Sequence, residues 1–454
     1  GACNAFITML QFDKLSLNIP DTTKPRVVII GGGFGGMNLV KALRDVDVQV
    51  VLFDKQNYNG FWPLLYQVGT AGLEPDAIAE PFRKMFDGFR NFYYRMVRVN
   101  KIDPATRVIS TVIGELHYDY LVIATGSKTN FFGNEQIQKY AFPLKTIPEA
   151  LNVRSQFLQC FEQASITTDP NERQSLLNFV IAGAGPTGVE MAGSLAEMRK
   201  YVLPNDYPGM DFSLMNIYVV EGLGKVLPPM SDESGQRAQR YLEDMGVIIK
   251  LNTMVESYDG ETVTFKGGEQ IKAQTLVWGA GVTGAMIDGI PADSVEKGRI
   301  LVDPINQVQG LTNVFAIGDI AFMKLPDYPK GHPGVAQPAI QQGKHLAKNM
   351  SRMLKNEPTK PFDYFDKGSL AIVGRSRAVA DLPGNFHLGG FIAWMAWLFV
   401  HISFLVGFRS KLSVFTNWMY RLFTYQRSTR LIIRPFVRVD DKVGKEIAAQ
   451  NEIA

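Results

Sequence analysis

Short apolar, β-branched runs punctuate the first two thirds of this chain, and each ends in glycines or an acid. "RVVII" from Arg26, "QVVLFD" from Gln49 and "YLVIATG" from Tyr120 read as buried parallel strands, with a helix over Gly36 to Arg44 between the first two. The pattern then recurs. "NFVIAGAGPTGVEMAGSLAEM" from Asn178 reads as strand, glycine turn and helix; "IYVVEG" from Ile217 is the next strand, and "TLVWGAG" from Thr275 echoes "LVIATG". "NVFAIGD", Asn313 to Asp319, is again strand-like, and Gln337 to Leu354 suits a helix with Pro338 in its first turn. Alternating strands and helices predict an α/β fold with two copies of one nucleotide-binding design rather than a short-period repeat.

The glycines carry the first candidate chemistry. "GGGFGG" places G-x-G-x-x-G at Gly31, Gly33 and Gly36, after a strand and before a helix. Glycine there permits a tight turn, close approach of backbone to a pyrophosphate and close helix contact. The phosphates would sit on the positive end of the helix dipole. Asp54, at the end of the next strand, is placed to accept from ribose hydroxyls. "GAGPTG" repeats the motif at Gly183, Gly185 and Gly188, with Glu221 as its acid, further along than the usual spacing of ~20 residues. The excursion "RKYVLPNDYPGM" accounts for that delay. A carboxylate on the ribose repels a 2′-phosphate, so Glu221 predicts NADH rather than NADPH. Two fingerprints suggest two dinucleotides, a bound flavin and a visiting nicotinamide.

Composition narrows the picture by exclusion. A net charge of +3 on 454 residues does not imply nucleic acid. The two cysteines, Cys3 and Cys160, form no close pair, which argues against a disulfide framework, a cysteine-rich metal site or an iron–sulfur cluster. No metal is expected. The N-terminus has neither a signal-peptide pattern nor an Arg-rich transit pattern. The fold signals begin at Lys24.

From Lys24 onward these residues resemble the two-dinucleotide-binding-domain flavoproteins. "ATG" at Ala124 to Gly126 and "FAIGD" ending at Asp319 look like flavin-side motifs of that superfamily. Three further stretches are similar to the type II (alternative) NADH:quinone oxidoreductases. They are "NYNGFWPLLYQVGTAGL" from Asn57, "AQPAIQQG" at Ala336 to Gly343 and "DKGSLAIVGR" at Asp366 to Arg375. The resemblance implies non-covalent FAD on Gly31, Gly32, Gly33, Phe34, Gly35, Gly36, Asp54, Lys55, Val99, Thr125, Gly126, Asp319, Ala336, Gln337 and Lys367. It implies NADH on Gly183, Gly185, Pro186, Thr187, Gly188, Glu190, Glu221 and Gly281, and quinone on Gln337, Gln341 and Lys367. The catalytic set would be Glu190, Gln337, Gln341 and Lys367. Disulfide reductases and sulfide:quinone oxidoreductases of the superfamily need reactive thiols that the two cysteines do not supply.

Each of these residues has a plainer reading. Gln337 and Gln341 share a helix face and could be surface or capping amides. Glu190 could be an acid compensating a helix dipole, or a carboxylate near nicotinamide and flavin that helps protonate quinone. Lys367 could be a solvated lysine beside Asp366, or a cation stabilising reduced flavin. Tyr66 and Gln67 are either core and capping residues or neighbours of the isoalloxazine.

The last part of the chain differs from the rest. "GFIAWMAWLFVHISFLVGF", Gly390 to Phe408, is apolar almost throughout; its nineteen residues would span about 28 Å as a helix, just under the ~30 Å of a bilayer core. In "KLSVFTNWMYRLF", Leu412, Phe415, Trp418, Met419 and Leu422 fall on one face, an interfacial pattern. Trp394, Trp397 and Trp418 suit the headgroup level. Arg409, Lys411, Arg421, Arg427, Arg430, Arg434 and Arg438 suit an anionic lipid surface, with no acid from Phe386 to Val439. A monotopic helical tail is expected in preference to a true span, with a buried core or dimer helix as the plainer reading of the apolar run, and a truncation after Pro383 would remove the tail without touching a fingerprint.

The expected organisation is an N-terminal extension (1–23), an FAD domain in two parts (24–145 and 296–385) with an NADH domain inserted (146–295), and a membrane-anchoring tail (386–454). The expected activity is hydride transfer from NADH to FAD and two-electron reduction of membrane quinone, without proton pumping, by a peripheral protein on the cytoplasmic face of a bacterial inner membrane. Homodimerisation is left open. A soluble NAD(P)H:acceptor reductase is the second reading, and a tethered FAD/NADH-binding sensor the third.

Overall fold

The structure is a computed structural model that describes residues 15–424 and 429–436. Cys3, Arg427 and Arg438 lie outside the described residues. The chain divides into two compact units. One comprises residues 1–60, 79–128 and 282–366; the other comprises 61–78, 129–281 and 367–454.

The first unit is built on a five-stranded parallel sheet in the order Val314–Ala316, Tyr120–Ile123, Arg26–Ile30, Gln49–Asp54, Phe92–Met96. All four expected strands are present. Val27, Val28 and Ile29 are fully buried, as a strand covered on both faces requires. The glycine-turn helix runs Phe34–Ala42, and Ala336–Leu354 lies along it. Gly343 permits that closeness: a Cβ there would stand 2.4 Å from the Gly35 carbonyl oxygen.

The second unit repeats the plan. Its parallel sheet runs Phe142–Pro143, Thr275–Trp278, Asn178–Ala182, Asn216–Val220, Ile248–Lys250. The helix Pro186–Tyr201 leaves the second glycine turn. An antiparallel sheet, Ser369–Ile372, Ala378–Leu382 and Phe386–Gly389, leads to the tail. Asp381 ties that sheet to the Asp232–Asp244 helix. It accepts from the Ser231 N–H (2.7 Å), the Ser231 and Ser234 hydroxyls (2.8 and 2.6 Å) and His387 (2.8 Å).

The tail departs from the expectation. The apolar run makes a helix only over Gly390–Phe404; it breaks at Leu405–Gly407, with Gly407 at φ +84, and a second helix runs Phe408–Thr424. No helix among the described residues is long and apolar enough to cross a membrane. The tryptophans are not at a surface: Trp394, Trp397 and Trp418 are 4, 1 and 6% exposed. The expected apolar face of the last helix is divided. Trp418 turns inward with Val414, while Leu412 and Phe415 stay outside. Phe391, Ile392, Phe399 and Phe408 are also outside, Phe399 at 72% and Phe408 at 80%. Spacing alone could not separate these faces, because both are apolar.

The basic residues of the tail are also partly committed to protein partners. Arg430 pairs with Asp206 at 2.7 Å, Arg421 bonds Gln67, and Arg434 bonds Asn152. Arg409 makes an exposed pair with Asp76 at 3.3 Å.

Candidate functional site

The two glycine turns coincide in detail. Gly31 (φ +104) donates its N–H to the Phe53 carbonyl at 2.8 Å, and Gly183 (φ +102) donates to Val220 at 2.7 Å. A Cβ on Gly36 would lie 1.9 Å from the Gly31 oxygen; on Gly188, 2.0 Å from that of Gly183. The next residue in each turn is held by the acid that ends the neighbouring strand. Asp54 Oδ2 accepts from the Gly32 N–H at 2.7 Å, and Glu221 Oε2 from the Ala184 N–H at 2.8 Å. The second oxygens take Gln56 (2.8 Å) and Leu223 (3.0 Å). The delay before Glu221 in sequence therefore leaves no trace in the geometry. Burial raises the Asp54 pKa, with the Gly32 and Gln56 N–H groups opposing the rise.

Both turn helices have a glycine N-cap, Gly33 and Gly185, with no side-chain cap and no acid in the first turn. Their positive ends are left to an anion. Gly33 and Gly185 have open space where a Cβ would be, and Pro186 and Thr187 are exposed beside the second. Gly281 (φ +135) lies under the Phe132 ring, 2.7 Å from where its Cβ would stand.

In the first unit, Asp319 opens a short turn after Val314–Ala316 and accepts from the Ser127 hydroxyl at 2.6 Å. The neighbouring Gly318 N–H is held by Gln342 at 2.7 Å, and Asn59 donates to the Gly32 carbonyl at 2.8 Å. Ser127, Gln342 and Asn59 were not singled out by the sequence: Ser127 adjoins a recognised motif and the other two lie inside one, but nothing local marks them. Thr125 Oγ1 and Gln337 Oε1 are buried without a protein partner. Orphaned buried oxygens, a glycine cradle and an uncapped helix N-terminus suit a polar dinucleotide cofactor. Ala336 opens the helix that carries Gln337, Lys55 is exposed, and the Val99 side chain belongs to the core, leaving only its backbone for a ligand.

Gln341 is already engaged. Its Nε2 donates to the Phe365 carbonyl at 2.9 Å and its Oε1 accepts from the Phe365 N–H at 3.1 Å. That pairing uses one of the amide's two N–H donors and one of its oxygen's two lone pairs. Lys367, in the second unit, is exposed, with Nζ 5.6 Å from the Phe404 ring centroid.

Glu190 is the fifth residue of its helix, beyond the first turn, so dipole compensation does not explain it. It is 7% exposed, and its Oε1 accepts from the Ile372 N–H at 3.4 Å. Gly193 lets that strand end approach, since a Cβ there would stand 2.7 Å from the Gly374 nitrogen. Burial pushes the carboxyl up to about 8; the Ile372 N–H opposes this, as does the Trp397 indole, which closes no full hydrogen bond. Glu190 is therefore largely protonated at neutral pH.

Around it stands a polar group from several elements. Gln67 Nε2 donates to the Tyr66 hydroxyl at 2.9 Å, while Gln67 Oε1 accepts from Trp418 Nε1 at 2.9 Å and Arg421 Nη1 at 3.2 Å. Arg375 donates to the carbonyls of Arg421 and Leu422, fixing the end of the last helix. Burial and the nearby Glu190 carboxyl raise the Tyr66 pKa well above its ordinary value. Trp418 and Arg421 were read as membrane-facing because helical spacing does not reveal which apolar side meets protein.

The fold and both turns define a two-dinucleotide oxidoreductase. Residues 25–343 match the pyridine nucleotide-disulphide oxidoreductase family, and residues 367–425 match the NDH2 C-terminal domain. The chain is similar to the type II NADH:quinone oxidoreductase Ndh of Mycobacterium tuberculosis, at 36% identity over 94% of this chain and 95% of that protein. It is 38% identical to NdhA of the same organism, over 87% of this chain and 86% of that one. Among solved structures, NDH2 from Plasmodium falciparum in complex with NADH superposes with a TM-score of 0.82, at 22% identity, covering 90% of this chain and all of that one. The chain belongs to the type II NADH:quinone oxidoreductases.

Proposed function

We infer that this chain oxidises NADH and reduces a membrane quinone through non-covalent FAD, without pumping protons. The observation that carries the reading is the duplicated glycine turn closed by Asp54 in one unit and Glu221 in the other, which provides for two dinucleotides.

The first unit is assigned to FAD. Gly31 to Gly36 and the Phe34–Ala42 helix would take the pyrophosphate, Asp54 the ribose, and Asp319 with Ser127 the ribitol. The unpartnered oxygens of Thr125 and Gln337 would find donors on the cofactor. When bound, the flavin would supply hydride acceptance from NADH and two-electron transfer to quinone. The second unit is assigned to NADH on Gly183, Gly185 to Gly188, Glu221 and Gly281. Glu221 has both oxygens on backbone N–H groups and so presents a fixed negative charge, which disfavours a 2′-phosphate. Glu190 is assigned the proton that reaches the quinone oxygen; Gln337, Gln341 and Lys367 are assigned to the quinone.

The protein is a peripheral membrane protein, and we assign it to the cytoplasmic face of a bacterial inner membrane. The exposed Phe391, Ile392, Phe399, Phe408, Leu412 and Phe415 would enter the interface, with Arg409 and Lys411 toward anionic headgroups. Anaerobic mixing with NADH, then with a quinone analogue, tests the assignments. Gln341→Ala and Lys367→Ala should leave flavin bleaching by NADH nearly normal and slow reoxidation by quinone. Equal slowing of both steps would instead mean a displaced flavin.

A further inference from the structure

Quinone reduction by NADH consumes one proton from water: NADH, one proton and quinone give NAD and quinol. The hydride supplies two electrons and one proton. The second proton has to cross protein to reach a buried site, and Glu190 is too deeply buried to be refilled directly.

Along the Pro186–Tyr201 helix, Ser194 and Glu197 follow Glu190 at four and seven residues, so the three share one face. All three line a cavity of about 40 Å³, together with Tyr66, Arg375 and Arg421. That volume admits water, and the walls supply several polar partners for it. Glu197 and Arg375 also line a second, larger groove of about 590 Å³, whose walls include Arg199, Asp211, Asp244 and Arg377. Glu197 thus borders both the cavity around Glu190 and the larger groove. Ser194 lies between the two acids, with its hydroxyl 2.8 Å from that of Thr70.

We propose that Glu197 is the outer carboxylate of a proton relay that refills Glu190 from the groove through Ser194 and water in the buried cavity. The proposal rests on the reading of Glu190 as the proton donor to quinone. In each turnover one proton passes from groove water to Glu197 and by way of Ser194 to Glu190, replacing the one given to the quinone oxygen. No electron travels this route. The charged and titratable groups facing it are Tyr66 from the Leu65–Gly69 helix, Arg375 from the turn after Ser369–Ile372, and Arg421 from the last helix. Arg421 is close enough to Glu197 for their charges to interact.

The test uses the FAD-loaded full chain, NADH, and two acceptors: a short-chain ubiquinone analogue, which takes up protons, and ferricyanide, which takes electrons alone. Glu197→Gln should slow quinone turnover by about ten-fold or more, since positioned proton transfer contributes on the order of 10²-fold or more. It should also enlarge the solvent deuterium effect and leave ferricyanide turnover near wild type. Glu197→Asp should restore most of the quinone rate. Ser194→Ala should show the same acceptor-selective loss, and it decides the matter should Glu197→Gln fail to bind FAD. Unchanged quinone turnover in Glu197→Gln, or equal losses with both acceptors, would overturn the relay. Glu190→Gln separates the two levels. If it retains full quinone turnover, the underlying reading of Glu190 fails; if it slows quinone while Glu197→Gln does not, only the relay fails.

Discussion

The Trp418 indole, expected at a lipid headgroup, donates its Nε1–H to Gln67 Oε1 at 2.9 Å, more than three hundred residues back in the chain. The last helix is therefore a wall of the second unit's polar cavity. It supplies both donors to Gln67, whose own Nε2 fixes the Tyr66 hydroxyl.

The tail should not behave as a detachable anchor. Trp418→Ala removes a buried ring and one donor, and is expected to lower stability by about 3–5 kcal/mol. Truncation after Pro383 strips Trp394, Trp397, Trp418 and Arg421 from around Glu190. It should lower the melting temperature and the NADH–ferricyanide rate as well as membrane binding. Thermal melts and soluble-acceptor assays of the truncated chain check this. A wild-type melting temperature and rate would restore the anchor-only view.

Nucleotide choice should follow Glu221. Glu221→Gln weakens the hold on the Ala184 N–H and removes the charge that rejects a 2′-phosphate. The expected cost is on the order of 1–3 kcal/mol, seen as a raised KM for NADH and a relaxed preference against NADPH. Steady-state kinetics with both nucleotides measure it, and an unaltered preference would remove Glu221 from the ribose site.

Much of this was legible in the sequence. Runs such as "RVVII" and "NFVIA" are too apolar and β-branched for anything but covered strands, and Gly31, Gly36, Gly183 and Gly188 after them stand where a Cβ would meet backbone. Glu190 could be marked but not explained, because its environment depends on Ile372 and Trp397, brought by segments about two hundred residues away. The inward turn of Trp418 was illegible for a different reason. An apolar face meets lipid or protein equally well, and periodicity records only that a face exists. Ser127 and Gln342 escaped notice because a hydroxyl beside a motif, or an amide within one, gains its meaning only from the backbone opposite.

Flavin retention should depend on Asp319. Asp319→Ala removes the carboxylate that Ser127 bonds at 2.6 Å and should lower the FAD content of the purified protein. Ser127→Ala should lower it less. Denaturation should release all the flavin into the supernatant, where absorbance and fluorescence quantify it. Full occupancy in Asp319→Ala would exclude this residue from the site.

The Glu190 pKa fixes two pH dependences. The group is raised from an ordinary 4.5 to about 8, so it carries its proton below about 8 and loses it above. Quinone turnover should fall as pH rises through about 8, and Glu190→Gln should abolish that limb. Stability should also respond. The contribution of a raised carboxyl is fully present below 4.5 and is lost as pH climbs to about 8, by about 1.4 kcal/mol per unit. Denaturant titrations at several pH values should show that slope in the wild type and not in Glu190→Gln.

The central claim is that one chain passes two electrons from NADH to a quinone, and the most direct test is the stoichiometry of that transfer. Purified, FAD-loaded protein in liposomes is given NADH and a long-chain ubiquinone or menaquinone under anaerobic conditions, and NADH loss and quinol formation are followed together. The account predicts sustained turnover with one quinol formed per NADH consumed and no protons carried across the sealed membrane. Rapid bleaching of the flavin by NADH with no quinol formed from either quinone would contradict it.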